Sequence, residues 1–452
     1  MRIDTFDYIC EFELNQNHDR MWSNKEIDLR LFRTPRKTSV LLFCCMTSTL
    51  CFGQEDTGPV QDSAKVVVSI QTADSKMEQD TAVQKREDSR LDITQDRGLY
   101  ILAEENKLQL RILGSVRFSA FYENKNLNNK NVFSTFEIPT GAKDINIPNY
   151  YNSLSFSRLG FEVTRKTLNG NIFIRLETDF AGPGNTFRIR HAYGQYGRWL
   201  IGQTWSLLTN ASSLPATVDP GGPTGAISSR TPQIRYSLKI SERFGFSAAF
   251  EYSLPDYASP DSLQITFVQT IPNLTARINR EGKYGSFQLG GIFAPIAGYD
   301  PDGNKNNSFG YGTSLSGTFE LKHSDEILFQ GTFGRAISHF INPFQGQGQD
   351  MAYDPQTAEF KGLTSAGGFV SYGHHWPRNI SSYFSFGMSS IINNSLQVGD
   401  DFDYSYSFSG NAFWKIVEGL RIGVEYMYGQ RFNIDHSNGN ANRTWILFYY
   451  DF

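Results

Sequence analysis

The stretch Asn442-Arg443-Thr444-Trp445-Ile446-Leu447-Phe448-Tyr449-Tyr450-Asp451-Phe452 reads as one unbroken β-strand. It is dominated by β-branched and aromatic residues and holds neither Gly nor Pro, a composition suited to a pleated, half-buried surface. Its eleven residues match the roughly 9–11 that a tilted strand needs to cross a bilayer. It is either the last strand of a soluble sandwich or the closing strand of a membrane barrel, and the preceding chain decides between them.

Upstream, from Arg97 onward, apolar and polar residues alternate, broken by Gly/Asn/Asp/Pro clusters, the pattern of successive strands. Sixteen strands are expected near 107–121, 152–167, 171–181, 186–196, 198–206, 231–240, 243–253, 272–281, 284–296, 309–322, 325–338, 361–374, 379–391, 402–415, 418–432 and 442–452. The gaps alternate. Long ones fall at 122–151, 207–230, 254–271, 297–308, 339–360, 392–401 and 433–441. Tight turns such as Leu168-Asn169-Gly170, Tyr196-Gly197-Arg198 and Val417-Glu418-Gly419 lie between them. Ala181–Asn185 is the exception, short where a long loop is due. Short periplasmic turns and long external loops are the habit of outer-membrane barrels, with an even strand count. The expected fold is therefore all-β, a 16-stranded antiparallel transmembrane β-barrel over residues 97–452. A barrel that wide cannot fill its interior with side chains alone, so the apolar faces should meet lipid and the charged faces line water. Asn442–Phe452 must then pair with both 418–432 and 107–121, because hydrocarbon tolerates no open strand edge. Its terminal Phe452, after an aromatic alternation, resembles the signal read by the barrel-assembly machinery.

The clean strands show the two faces. Leu110, Ile112, Val116 and Phe118 oppose Arg111 and Arg117. Ile174, Leu176 and Phe180 oppose Arg175, Glu177 and Asp179. Ile234, Tyr236 and Leu238 oppose Arg235 and Lys239. Leu274 and Ile278 oppose Arg277. Leu420, Ile422 and Val424 oppose Arg421, Glu425 and Arg431. Arg188, Arg190 and Arg443 are further candidates for the lumen. Arginine outnumbers acid in this set, and rings of Arg or Lys favour anions. Guanidinium groups also bind carboxylate and phosphate in a planar, bidentate way.

The composition agrees with a barrel and excludes other classes. The chain has 36 Phe, 22 Tyr, 6 Trp and 40 Gly, with a net charge of −4. No basic run with interleaved aromatics suggests nucleic acid. All four cysteines, Cys10, Cys44, Cys45 and Cys51, lie in the first 51 residues, so a disulfide framework or Cys-based metal site in the main domain is excluded. Arg33, Arg36 and Lys37 precede a short apolar run, Val40 to Phe43, and small residues up to Gly53. That is the layout of a secretory signal over residues 1–53, with Met21 a candidate start and cleavage expected after Gly53. Residues 54–96 are polar and charged and read as a periplasmic extension.

The segment Leu207–Arg230 is long, rich in small residues and stiffened by Pro215, Pro220 and Pro223. Such a loop is suited to folding into a barrel as a constriction, with Asp219, Pro220, Gly221, Gly222 and Arg230 at its core. Gly202-Gln203-Thr204-Trp205-Ser206, Asp219-Pro220-Gly221-Gly222-Pro223 and Arg230-Thr231-Pro232-Gln233-Ile234-Arg235-Tyr236 resemble the DcaP-like family of trimeric outer-membrane porins. The resemblance implies a homotrimer in outer-membrane lipid that passes small hydrophilic solutes, anionic ones such as dicarboxylates included. It also implies that Arg230 and Arg235 are pore arginines.

Other chemistry finds little support. The adjacent His374-His375 pair and His323 fall at expected turns, and no cofactor or metal is indicated. No P-loop, nucleophile elbow or zincin motif occurs. Two alternatives remain: a receptor or adhesin barrel binding through 122–151 and 339–360, and a membrane-facing Ser/His hydrolase. For the latter, His191 would face lipid beside Tyr193.

Overall fold

The computed structural model describes residues 97–452, except 104–106, 258–265, 300–302, 304, 355, 358, 393–395 and 398. N-terminal to these it describes only Ile9–Cys10 and Val67–Ser69. The expected export signal and the rest of the polar extension lie outside the described residues.

The chain forms a closed 16-stranded antiparallel barrel. In order the strands are β1 (Leu108–Glu123), β2 (Asn149–Ser153 and Arg158–Thr167, one strand interrupted), β3 (Gly170–Asp179), β4 (Arg188–Tyr196), β5 (Trp199–Trp205), β6 (Arg230–Lys239), β7 (Phe244–Glu251) and β8 (Thr266–Val268 and Asn273–Gly282, again interrupted). They continue with β9 (Gly285–Tyr299), β10 (Lys305–Glu320), β11 (Asp325–Arg335), β12 (Thr364–Trp376), β13 (Ile380–Ile392), β14 (Phe402–Val417), β15 (Leu420–Asn433) and β16 (Asn438–Asp451). Each pairs with its sequence neighbour, and β16 returns to β1 through Arg443↔Glu123 to Asp451↔Ser115. Phe452 completes the seam: its N–H donates to the Gly114 carbonyl at 3.0 Å, and the Gly114 N–H donates back at 3.2 Å. A short strand, Leu99–Ala103, continues the same edge below β16 by pairing with Leu108–Ile112.

Period-two alternation sets what each strand shows. On β16, Ile446, Phe448 and Tyr450 face outward, while Arg443, Trp445, Leu447 and Tyr449 are buried inside. On β1, Val116, Phe118 and Tyr122 are outward against inward Arg117, Ser119, Phe121 and Glu123. Exposed Tyr196, Trp199, Tyr284, Trp376 and Trp414 gather near the short-turn rim, as aromatic girdles do at a membrane interface. There the chain reverses tightly; Arg378 and Asn379 both take left-handed conformations (φ 64° and 59°), the signature of a primed turn that matches strand twist.

Two loops expected to be long are not. Only residues 300–304 join β9 to β10, and only 434–437 join β15 to β16. The polar ends Lys305-Asn306-Asn307 and Asn438-Gly439-Asn440 carry the ladders on past the apolar band, where composition gives no strand signal. Conversely, the expected loop 254–271 contains Thr266–Val268, which pairs with the end of β9. The loop 336–363 carries its own hairpin, Met351–Asp354 with Glu359–Gly362.

The interior is not simply water. Three loops fold inward: 124–148, 206–229 and 336–350. Leu127, Phe133 and Ile138 from the first and Ala216, Val218 and Ala226 from the second pack with inward Phe121, Phe413, Trp445 and Leu447. Leu208 and Ile227 join Phe340, Ile341 and Phe344 of the third. Fully burying one such Leu, Ile, Val or Phe is worth about 1.5–3 kcal/mol, so this inner packing is a large share of what holds the loops.

Candidate functional site

The loop leaving β5 spans the barrel. Its first residues are tied to nearby strands: Glu251 on β7 accepts from Ser206 Oγ at 2.7 Å and Leu207 N at 2.9 Å, and Gln288 on β9 donates to the Leu207 carbonyl at 3.0 Å. Its middle reaches the opposite wall. Asn411 on β14 donates to the Ala216 carbonyl at 2.9 Å, and Glu425 on β15 accepts from Val218 and Asp219. The return passes over β13 and β12, where backbone lies against backbone. At Gly225 a Cβ would sit 2.2 Å from the Met388 carbonyl oxygen and 2.4 Å from Gly368 N, and its φ is +85°. Asp219 then binds a second loop: its carboxylate accepts from Phe133 N and from Gly221 N, each at 2.6 Å. Burial, opposed by Arg443 and by those two backbone donors, pushes its pKa up to about 6. The third loop closes the set, with Asn342 N donating to the Ala226 carbonyl and Gly225 N to the Asn342 carbonyl.

The wall facing these loops, β1 to β6, carries the arginines. A ladder of ion pairs climbs it, buried at Arg111–Glu162 (2.9 Å), Arg175–Glu177 (2.6 Å), Arg190–Glu177 (2.8 Å) and Arg190–Asp179 (3.1 Å) and ending on the exposed Arg188, 2.7 Å from Asp179. Arg158 approaches Glu177 at 3.5 Å. A β-bulge in β4 makes this crowding possible. Glu177 pairs with His191 and Thr178 with Ile189, which leaves Arg190 as the extra residue. Arg190 and His191 are buried on the inner side, Arg188 reaches the inward Asp179 with two hydrogen bonds, and Ile189 is 52% exposed. His191 is therefore not a lipid-facing residue, as an unbroken period would have made it. It is buried, its Nδ1 3.0 Å from Thr204 Oγ1.

Between wall and loops lies a cavity of about 350 Å³ lined by Arg117, Arg158, Arg188, Arg190 and Arg230, by Phe156 and Trp205, and across from them by Asp219, Pro220, Gly221 and Gly222. A second cavity of about 570 Å³ shares Arg188, Ser228, Arg230 and Gln345 with it and adds Ile189, Asp256 and His339. Arg188 and Arg230 thus stand at the neck between the two.

The remaining candidates are placed elsewhere. Arg111 and Arg175 are ladder members below the cavity. Arg235 binds Gln233 Oε1 at 2.8 Å and the Trp205 carbonyl, fixing the end of β5. Arg277 donates to Gln288 at 3.2 Å. Lys239 is exposed at the short-turn end of β6. Arg421, near the same rim, lies 3.5 Å from Asp451. Arg443 is wholly buried against Glu123. The arginines do not form a ring; five of them form a patch on one wall. Arg158 and Phe156 were not among the expected lining residues, because residues 154–157 interrupt β2 and break its alternation; Trp205, at the end of β5, was not among them either. Among the described residues no group of three or more His, Cys, Asp and Glu is arranged to hold a metal ion.

The family model described as DcaP outer membrane protein matches residues 64–452. Among solved structures, the outer membrane channel DcaP of Acinetobacter baumannii is similar with a TM-score of 0.68 at 19% identity, covering 77% of this chain and 99% of that one. The in-vitro folded OmpT of Vibrio cholerae, an outer membrane protein, is similar at 0.50 with 10% identity, covering 77% and 99%. No sequence of a curated protein matches the chain. The structural likenesses at these identities speak for the barrel, and the family match over most of the chain speaks for its kinship: the chain belongs to the DcaP outer membrane protein family and is a β-barrel of the bacterial outer membrane.

Proposed function

We propose that the barrel passes small hydrophilic solutes by passive diffusion and prefers anions, dicarboxylates among them. The single observation that carries this reading is the one-sided arginine patch. Five guanidinium groups, Arg117, Arg158, Arg188, Arg190 and Arg230, line the first cavity. Among the described residues, Glu177 and Asp179 on the same wall pair with Arg158, Arg188 and Arg190, and Asp219 faces the patch from the loop. A narrow passage walled by low-dielectric protein focuses that excess, and the guanidinium fork suits carboxylate. In planar bilayers the protein should give stepwise conductance, with a reversal potential in a KCl gradient shifted towards chloride. A silent membrane would sink the channel reading, and potassium selectivity would sink the anion preference. A liposome-swelling panel of sugars, amino acids and dicarboxylates would identify the solute class.

Assembly belongs to the same reading. We take the protein to be a homotrimer in outer-membrane lipid, so conductance steps should come in threes. We take Phe452 to be read by the barrel-assembly machinery; its deletion should lower the amount of folded barrel in the membrane. The mature chain is taken to start at Gln54 with residues 54–96 as a periplasmic extension, which N-terminal sequencing of the purified protein tests. The hydrolase alternative loses its motive, since His191 is buried inside the barrel wall.

A further inference from the structure

Arg230 opens β6 at the neck and lines both cavities. Trp205 and His191 are among the neighbours that hold it. Its guanidinium carbon lies 3.5 Å from the centre of the Trp205 ring, close enough for a strong cation–π contact in a partly desolvated site. Its Nε–H donates to His191 Nε2 at 3.4 Å. An arginine Nε–H can only donate, so His191 Nε2 must accept. The proton of the imidazole is then on Nδ1, donated to Thr204 Oγ1 at 3.0 Å. His191 in turn meets the Trp205 ring edge-on, with centres 5.7 Å apart. Stacking fixes the tilt of the guanidinium plane and the Nε contact fixes its rotation within that plane.

An isotropic charge at the neck needs neither contact; it would attract chloride and carboxylate alike. A planar fork held at one orientation is a different device, because it rewards planar oxyanions that can take two parallel hydrogen bonds. We propose that Trp205 and His191 are positioning residues for Arg230, and that this clamp gives the neck its preference for planar carboxylates over spherical anions. The inference rests on the anion-preferring reading above and goes further by naming what discriminates among anions.

The test uses full-length protein in planar bilayers, with acetate on one side and chloride on the other, and reads the acetate-to-chloride permeability ratio. Trp205→Leu and Arg230→Lys should each lower that ratio by about threefold or more, with chloride-over-potassium selectivity retained, since Lys keeps the charge and loses the fork. His191→Gln, which can still accept from Arg230 and donate to Thr204, should retain the ratio, as should Trp205→Phe. A ratio unchanged by Arg230→Lys and Trp205→Leu, in a channel that still prefers chloride to potassium, overturns the clamp alone. A potassium-selective unmodified channel overturns the anion reading and the clamp with it. Because Arg230→Lys removes no buried aromatic, it decides the role of the fork even where a Trp205 variant does not fold; His191→Ala, which removes the acceptor of the Arg230 Nε–H, should lower the ratio as Trp205→Leu does, and an unchanged ratio there overturns the positioning role of His191.

Discussion

The Glu425 carboxylate on β15 accepts the backbone N–H of Asp219 at 2.8 Å, so the far wall of the barrel holds the loop that leaves β5. The same Oε2 takes the Val218 N–H at 2.5 Å. Both donors are buried, and a buried N–H left without an acceptor costs about 1–3 kcal/mol. Glu425→Ala should free the tip of the loop, raise single-channel conductance and admit larger sugars in liposome swelling. Glu425→Gln keeps an acceptor oxygen and should conduct as the unmodified protein does. Equal conductance for the Ala variant would show that apolar packing alone holds the loop.

Asp219 should make the channel's behaviour depend on pH. Burial has raised its pKa from 3.8 to about 6, so the packed loop holds a proton that a released loop would give up. The contribution to loop docking is therefore full below about pH 4 and is lost as pH rises through about 6. Protonation also removes the carboxylate that faces the arginine patch. Chloride-over-potassium selectivity should therefore rise as pH falls from 7 to 5, and Asp219→Asn should abolish that rise. A selectivity that stays constant across this range in the unmodified protein would place the titration elsewhere.

Gly225 is where the loop touches the wall most closely. An added Cβ meets backbone atoms at 2.2 and 2.4 Å, and the +85° φ is a conformation that L side chains rarely adopt. Gly225→Ala should undock the loop, giving larger and noisier conductance steps and earlier proteolytic cleavage within 207–229. The barrel strands, closed by their own ladders, should keep their gel mobility. Retention of the normal conductance would mean that the loop rearranges locally at little cost.

These residues also mark where the sequence was legible and where it was not. Ile446, Phe448 and Tyr450 alternate with Trp445, Leu447 and Tyr449, and that period two made both the strand and its facing readable. Pro215, Pro220 and Pro223 gave away a stiff loop, and that loop does carry Asp219 to Gly222 to the cavity. The bulge at Arg190 left no such trace. One inserted residue changes no composition, yet it turned His191 from lipid to lumen. Phe133 and Ile138 read as ordinary loop residues until the fold tucks them under Trp445. The tie between Glu425 and Asp219 joins a side chain to backbone 206 positions away, which no local pattern encodes. Charge signs were readable along each strand; which charges cancel was not, because the partners lie across strands.

Arg443 shows the consequence most directly. Its strand alternation puts it inside, and inside it is, but 0% exposed, with Nη2 2.6 Å from Glu123 Oε2 across the β1–β16 seam. Its guanidinium stacks on Phe121 at 3.9 Å and donates to the Asn129 carbonyl at 3.1 Å. It pins the first infolded loop to the closing strand and does not line the cavity. Removing one partner of such a pair leaves a buried charge and costs about 3–5 kcal/mol; Lys130, 3.0 Å from Glu123, offsets part of it. Arg443→Met should therefore lower the temperature at which the folded barrel loses its heat-resistant gel mobility, and adding Glu123→Gln should recover much of the loss. The reversal potential in a KCl gradient should barely move in either variant. A drop in chloride preference as large as that of Arg117→Gln, with unchanged heat resistance, would put this guanidinium in the permeation path after all.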